Sequence, residues 1–205
     1  MARNFDDASN QSLSYASEIL AEVPITMAAW FKVDEAKNAG LVDIYQSGTS
    51  DYMTLEITHL RRATVMVKRD GEIGHGVFTA TTFELNTWNH ACGVFASSTS
   101  RSIYLNGGAK QTNTNDITPD GLNSTRIGLG TTANYMSGHI GGVALWDIAL
   151  TDSQVAMLAT GLAPLAVQPQ NLVSYWPLIG HTSPEIDIVG NYGMVLNNGP
   201  TAAND

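Results

Sequence analysis

Apolar residues in this chain fall in short runs, either alternating with polar ones or apolar throughout, and turn residues separate the runs. In "VPITMAAWFKV" (23–33), Ile25, Met27, Ala29 and Phe31 share one face and Thr26, Ala28 and Trp30 the other. Both faces are largely apolar, which predicts a central strand covered on both sides. "LVDIYQS" predicts a strand that ends at Gly48, and "YMTLEITH" (52–59) alternates, with Met53, Leu55 and Ile57 opposite Thr54, Glu56 and Thr58. "ATVMVKRDGEIGHGVFTA" predicts a hairpin turning at Asp70-Gly71, and "SIYLNGGAKQT" another turning at Asn106-Gly107, because both pairs suit tight two-residue turns. "WNHACGVFA" (88–96) puts Trp88, His90, Cys92 and Val94 on one face. Residues 111–122 read as a long polar loop, and "STRIGLG" and "GHIGGVALWDIAL" as the next strands. Turn signals at this spacing argue for an all-β sandwich or barrel.

One stretch has helical spacing. In "LTDSQVAMLATG", Thr151 is an N-cap with Gln154 as its capping-box partner, and Gly161 stops the helix, which spans about 152–160. Val155, Leu158 and Met157 supply its buried stripe. "LAPLAVQPQ" then crosses over in extended form, too apolar for a free linker. "NLVSYWPL" and "YGMVLNNG" are the last strands, so residues 1–205 read as one domain without internal repeats.

Composition supports this reading. Hydrophobic residues make up 43% of the chain, enough for a substantial core, and charged residues only 14%, against about 25% in an ordinary soluble domain. The net charge of −9 argues against a nucleic-acid partner. Arg61, Arg62, Lys68 and Arg69, the basic cluster, read as exposed strand ends. No apolar run is long enough to span a membrane, and residues 1–20 lack the pattern of a signal peptide, so folding in a cytoplasm is expected. Cys92 is the single cysteine, which excludes an intrachain disulfide.

Few residues suggest chemistry. "IGLGTTA" (127–133) fits a loose dinucleotide pattern, but no helix follows to hold a pyrophosphate, so it reads as a glycine-rich strand end and turn. His90 and Cys92 face one way, yet a zinc site needs three or four ligands, and His59, His75, His139 and His181 are scattered. A satisfied core histidine beside a buried thiol is expected. Glu56 stands alone on its strand face; Glu185 and Asp187 are two apart, as a glycosidase pair on a strand would be, but lie in a loop-like stretch between Pro184 and Gly190. Asp6, Asp7, Asp34, Asp51 and Asp147 are turn acids from which a calcium site would have to be gathered. No catalytic, cofactor-binding or metal site is assigned.

The order of four segments resembles the laminin G-like, concanavalin A-like jelly-roll family, especially the single-domain versions in bacteria and tailed bacteriophages. These are "ITMAAWFKVD", "NTWNHACGVF", "SIYLNGG" and "GHIGGVALWDIALTDSQVAMLATG", with "NFDDASNQSLSY" at the start; "LVSYWPLIG…SPEIDIVGNYGMVLNNGP" resembles a unit that opens the domain in many relatives and closes it here. The resemblance implies a two-sheet antiparallel jelly-roll sandwich. It leaves calcium in doubt, because Gly141-Gly142 replace an acid that many relatives carry. It lacks the Glu-x-Asp-x-x-Glu strand of the glycosidase cousins. It also implies that strand 172–178 closes the fold beside the N-terminal segment, burying Trp176.

With no catalytic set and a charge-poor surface, the chain is expected to be a non-enzymatic virion structural protein of a tailed bacteriophage. It would be a capsid decoration protein or a fibre or collar component, contacting capsid or tail proteins and forming a homo-oligomer. The alternative is a lectin-like module that binds surface glycans, for which Tyr52, Tyr135 and Tyr192 are candidate exposed aromatics. A glycoside hydrolase or lyase is a third reading.

Overall fold

The computed structural model of the chain describes residues 2–180 and 182–203, so His181 lies outside the described residues. The alternating runs become strands β1 (Arg3–Phe5), β2 (Ser12–Tyr15), β3 (Ile25–Lys32), β4 (Ala39–Tyr45), β5 (Tyr52–Ile57), β6 (Ala63–Lys68), β7 (His75–Phe78) and β8 (Asn89–Ser97). They continue as β9 (Ser100–Leu105), β10 (Gln111–Asn113), β11 (Ser124–Ile127), β12 (Gly138–Trp146), β13 (Leu172–Trp176), β14 (Val195–Asn197) and β15 (Thr201–Ala202). Helix α1 (Asp152–Ala159) sits between β12 and β13. The first sheet runs β10-β9-β8-β3-β12-β1-β15, with β13 also paired to β12; the second runs β14-β2-β11-β4-β5-β6-β7. The result is the expected antiparallel jelly-roll sandwich. No described helix is long and apolar enough to cross a membrane.

The main core lies between the sheets. Ile25, Met27, Ala29 and Phe31 of β3 point into it, as do Met53, Leu55 and Ile57 of β5. Phe31 meets Phe83 edge-on at 5.1 Å between ring centres. Trp176 is fully buried there, and its Nε1 donates to the Tyr192 carbonyl at 2.8 Å. Burying such a ring removes roughly 150–250 Å² from water, worth about 4–6 kcal/mol.

The closing strand behaves nearly as expected. β13 and β1 lie in succession along one edge of β12: Phe5 opposes Gly138 and Arg3 opposes Ile140, and then Trp176 opposes Val143. The strand that pairs directly with β1 is β15, with Arg3 opposite Ala202. A buried ion pair fastens the two ends: Arg3 Nε donates to Glu185 Oε2 at 2.6 Å, and its other nitrogens donate to the Pro200 and Thr182 carbonyls.

A second, smaller core covers part of the first sheet's outer face. Ala28, Cys92, Val94, Tyr104, Ala144 and Trp146 are roofed by Val155 and Leu158 of α1 and by Val167 of the crossover. The capping box of Thr151 and Gln154 is present. Met157, expected in the buried stripe, is 46% exposed; at 3.6 residues per turn, Val155 and Leu158 share a face that Met157 does not.

Three further expectations need correction. Residues 111–122 begin as a strand, because Gln111–Asn113 pair with β9. The Asp70-Gly71 turn belongs to a longer connection between β6 and β7, tied aside where Ser50 donates to Asp70. The crossover is not extended throughout: Pro164 starts a single 3-10 turn, which delivers the Val167 carbonyl to Trp146 Nε1 at 2.8 Å.

Candidate functional site

The outer face of the second sheet concentrates polar and aromatic side chains. On β4, alternation sends Val42 and Ile44 inward and Asp43 and Tyr45 outward; on β5 it sends Tyr52, Thr54 and Glu56 outward. Register then sets Tyr45 opposite Tyr52 and Arg126 of β11 opposite Asp43. Arg126 Nε donates to Asp43 Oδ2 at 2.7 Å, and its guanidinium lies 4.3 Å from the centre of the Tyr45 ring.

A loop lies across this face. After β11, residues 128–136 fold back, with a 3-10 turn at Thr131–Ala133. Contact is so close that a Cβ on Gly40 would sit 2.1 Å from the Gly130 nitrogen, and one on Gly130 would sit 2.4 Å from Glu56 Oε1. The glycines of "IGLGTTA" therefore let a loop press onto a sheet, in line with the structural reading of that stretch. Glu56 Oε1 accepts from Thr131 N at 2.8 Å and from Thr131 Oγ1 at 3.0 Å.

Two carboxylates are thereby sealed beneath the loop. Asp43 is fully buried and Glu56 5% exposed. Burial pushes the Asp43 carboxyl up to about 7, against the attraction of Arg126. Burial also raises Glu56, with the Thr131 hydrogen bonds opposing, and raises Tyr52, to which the charges of Glu56 and Asp43 add. Asp43 Oδ1 has no hydrogen-bond partner among the described residues.

Beside the sealed acids is an open cleft of about 300 Å³, lined by Tyr45, Tyr52, Arg126, Thr131, Lys68 and, from the turn between β4 and β5, Gln46 and residues 48–51. The turn is well braced. Thr49 Oγ1 donates to Asp51 Oδ2 at 3.0 Å, and Asp51 Oδ1 accepts from Asp120 N at 2.9 Å. Neither Asp43 nor Glu56 lines the cleft, and Asp51 is occupied by its own turn. What the cleft offers is two phenol rings, a guanidinium edge, an ammonium and a hydroxyl, a set suited to holding a hydroxylated ligand.

The other residues singled out in the sequence lie elsewhere. Glu185 holds Arg3, while Asp187 accepts from the backbone of Tyr175, Val189 and Tyr192. Both are buried outside this cleft. Asp6 and Asp34 line a separate hollow of about 350 Å³, where Asp6 is engaged by Ala8 N and Ser9 Oγ. Asp7 pairs with Lys37, and Asp147 accepts from Asn171. Among the described residues no three His, Cys, Asp or Glu side chains gather as metal ligands, so the five acids do not form the cage of six or more oxygens that calcium wants. Arg61 and Arg62 lie at one end of β6 and Lys68 and Arg69 at the other, as expected of strand ends. Tyr135 bridges to Leu129 within the loop, and Tyr192 packs edge-on against Tyr15 at 5.4 Å.

His90 departs from expectation. It is buried next to Trp30, with ring centres 5.1 Å apart, but its Nδ1 has no partner among the described residues. Burial pushes its pKa down to about 4 and raises the Cys92 thiol.

Asp43, Tyr45 and Arg126 were missed in the sequence, where Asp43 is one polar residue in an alternating strand. Tyr45, two positions later on the same face, was the available signal.

A two-sheet antiparallel jelly-roll sandwich with a short helix over one sheet defines the concanavalin A-like sandwich class. The chain belongs to the laminin G type 3 family of the concanavalin A-like lectin/glucanase superfamily, whose family model matches residues 7–156. No functionally curated protein matches it in sequence. Among solved structures, a candidate carbohydrate-binding protein from Bacteroides ovatus superposes with a TM-score of 0.69 at 19% identity, over 99% of this chain and 61% of that one. The heptameric SAP-like pentraxin of Limulus polyphemus gives 0.66 at 14% identity, over 95% and 89%. The enzymatically active domain of tailspike protein 2 of bacteriophage CBA120 gives 0.61 at 17% identity, over 85% and 29%.

Proposed function

We propose that this chain is a non-catalytic carbohydrate-binding domain that holds a saccharide in the cleft on the second sheet. The observation that carries the reading is the cross-strand pair Tyr45–Tyr52 beside Arg126, with Asp43 and Glu56 shut beneath the loop. Sugar rings have apolar faces that stack on phenol rings and hydroxyls that pair with charged donors. A glycosidase instead needs two acids flanking the scissile bond, and the buried acids here are engaged by Arg126 and Thr131. The lectin name of the superfamily and the Bacteroides protein's description support the same reading.

The test is a glycan array followed by calorimetry. A saturable ligand that is lost in Tyr52→Ala and Arg126→Ala, with no turnover, is the expected result. Turnover abolished by Glu185→Gln or Asp187→Asn would overturn it.

A second reading concerns setting. The tailspike domain and the low charged fraction of 14% favour a place on a bacteriophage particle, as a capsid decoration, fibre or collar protein contacting capsid or tail subunits. The heptameric pentraxin favours a homo-oligomer. Mass spectrometry of purified particles tests the setting: fixed stoichiometry supports it, and absence from the particle refutes it.

A further inference from the structure

Helix α1 and the crossover cover only part of the first sheet's outer face. On the uncovered part lies a hollow of about 310 Å³ lined by Trp30, Trp88, Tyr175, Pro177, Gly141 and Gly142. Its three rings come from β3, from the residue before β8 and from β13. Both tryptophans are backed by histidines: Trp30 by His90 at 5.1 Å and Trp88 by His139 at 6.3 Å.

The floor is a β-bulge. Gly141 opposes Trp30 and Ala144 opposes Ala28, so β12 carries one extra residue there, and Gly142 takes a φ of +59°. A Cβ at Gly142 would stand 3.7 Å from Trp30 and 3.9 Å from Tyr175, in the space between the rings. The tryptophans outside the hollow differ from those in it: Trp146 and Trp176 are fully buried and each donates Nε1 to a carbonyl at 2.8 Å, whereas Trp30, Trp88 and Tyr175 are half-buried, and no described residue pairs with their indole nitrogens or phenol oxygen. Rings of this kind, apolar over most of their surface and open to water at one polar atom, are common at binding surfaces.

We propose that this hollow is a second saccharide site, which takes a neutral hexopyranose ring against Trp30, Trp88 and Tyr175. The rings meet the apolar C–H faces of the sugar, and the two indole N–H groups and the Tyr175 hydroxyl meet its oxygens. The ligand is uncharged because, among the described residues, no carboxylate, lysine or arginine lines the hollow, so an ionic group would lose water without gaining a counter-charge. The volume lies at the small end of ligand sites, about 300–1,000 Å³. The site faces away from the Tyr45–Tyr52 cleft across two packed sheets. Together with that cleft it makes the domain bivalent, and on its own it stands whether or not the cleft binds.

Tryptophan fluorescence isolates this site, since no tryptophan lines the other cleft. The folded chain is titrated with cellotriose, maltotriose and, as the anionic control, trigalacturonate. A saturable spectral shift with a neutral trisaccharide is expected, retained in Tyr52→Ala and lost in Trp88→Ala. Tyr175→Phe, which keeps the ring, weakens binding roughly two- to tenfold. No shift with either neutral trisaccharide, or a shift that survives Trp88→Ala, overturns the proposal. So does a fall in oligomer mass in Trp88→Ala by analytical ultracentrifugation, which would make the hollow a contact between copies.

Discussion

Replacing Glu185 by Leu removes the only carboxylate that touches Arg3 among the described residues. Both side chains are 1% exposed. The arginine would keep its bonds to the Pro200 and Thr182 carbonyls, but its charge would be left buried without an opposite one. Breaking a buried pair on one side costs about 3–5 kcal/mol, a large share of a typical net stability of about 5–15 kcal/mol. Replacing both partners, Arg3→Met with Glu185→Leu, removes charge and counter-charge together and should restore stability to within about 2 kcal/mol of the parent. Urea unfolding followed by tryptophan fluorescence reads this, because Trp146 and Trp176 are fully buried in the native state. The four proteins form a double-mutant cycle, and with each single variant costing about 3–5 kcal/mol and the double variant about 2 at most, the coupling between Arg3 and Glu185 should be about 4 kcal/mol or more. A Glu185→Leu protein within about 1 kcal/mol of the parent, or a double variant no better than the worse single one, would refute the reasoning. The same series separates scaffold from chemistry, since Glu185 also stands in the sequence as a glycosidase candidate.

Stability should depend on pH through two opposed groups. Asp43, raised from 3.8 to about 7, stabilises the fold below pH 4 and loses that contribution as pH rises toward 7. His90, lowered from 6.5 to about 4, contributes above pH 6.5 and loses it as pH falls toward 4. Each is worth about 3–4 kcal/mol at most, so Asp43→Asn should make the urea midpoint fall more steeply than the parent's between pH 6.5 and 4; parallel curves would contradict this. Gly40→Ala drives a methyl into the Gly130 backbone and should cost about 1–3 kcal/mol and several degrees of Tm, with faster proteolysis in 128–136; an unchanged Tm counts against the contact. Truncation after Gln170 removes β13, β14, β15 and Glu185 and should abolish cooperative unfolding; a soluble, cooperatively melting 1–170 fragment would show the closing strands dispensable.

The fold was legible wherever local chemistry and global packing agree. The two apolar faces of 23–33 read as a central strand because β3 does carry the inter-sheet core on one side and Ala28 under the helix on the other. The capping box and the Asn106-Gly107 turn are local, and Asn106 and Gly107 both take positive φ. The sites were not legible, because each joins distant segments. Asp43 meets Arg126 across 83 positions, and the pattern that Arg126 precedes points to a phosphate, not to an acid. The glycines of 127–133 match a phosphate pattern in sequence, but their spacing serves a close approach to Gly40 that no local pattern encodes. Nothing local in "NLVSYWPL" distinguishes Tyr175 from its neighbour Trp176; the bulge at Gly141-Gly142 lies beside the open hollow that Tyr175 lines.

The arrangement of β1 and β13 along one edge of β12 also sets a timetable for the newborn chain. When β12 emerges from a ribosome it can pair with β3 on one side, but the partner for Val143–Trp146 on the other side has not been made. Synthesis from Trp146 to Trp176 takes roughly 2–6 s at about 5–20 residues per second. For that interval an apolar strand edge stands open, the condition under which chains pair with strangers. Slower translation of 147–176 should therefore lower the soluble yield more than the same slowing placed after residue 176.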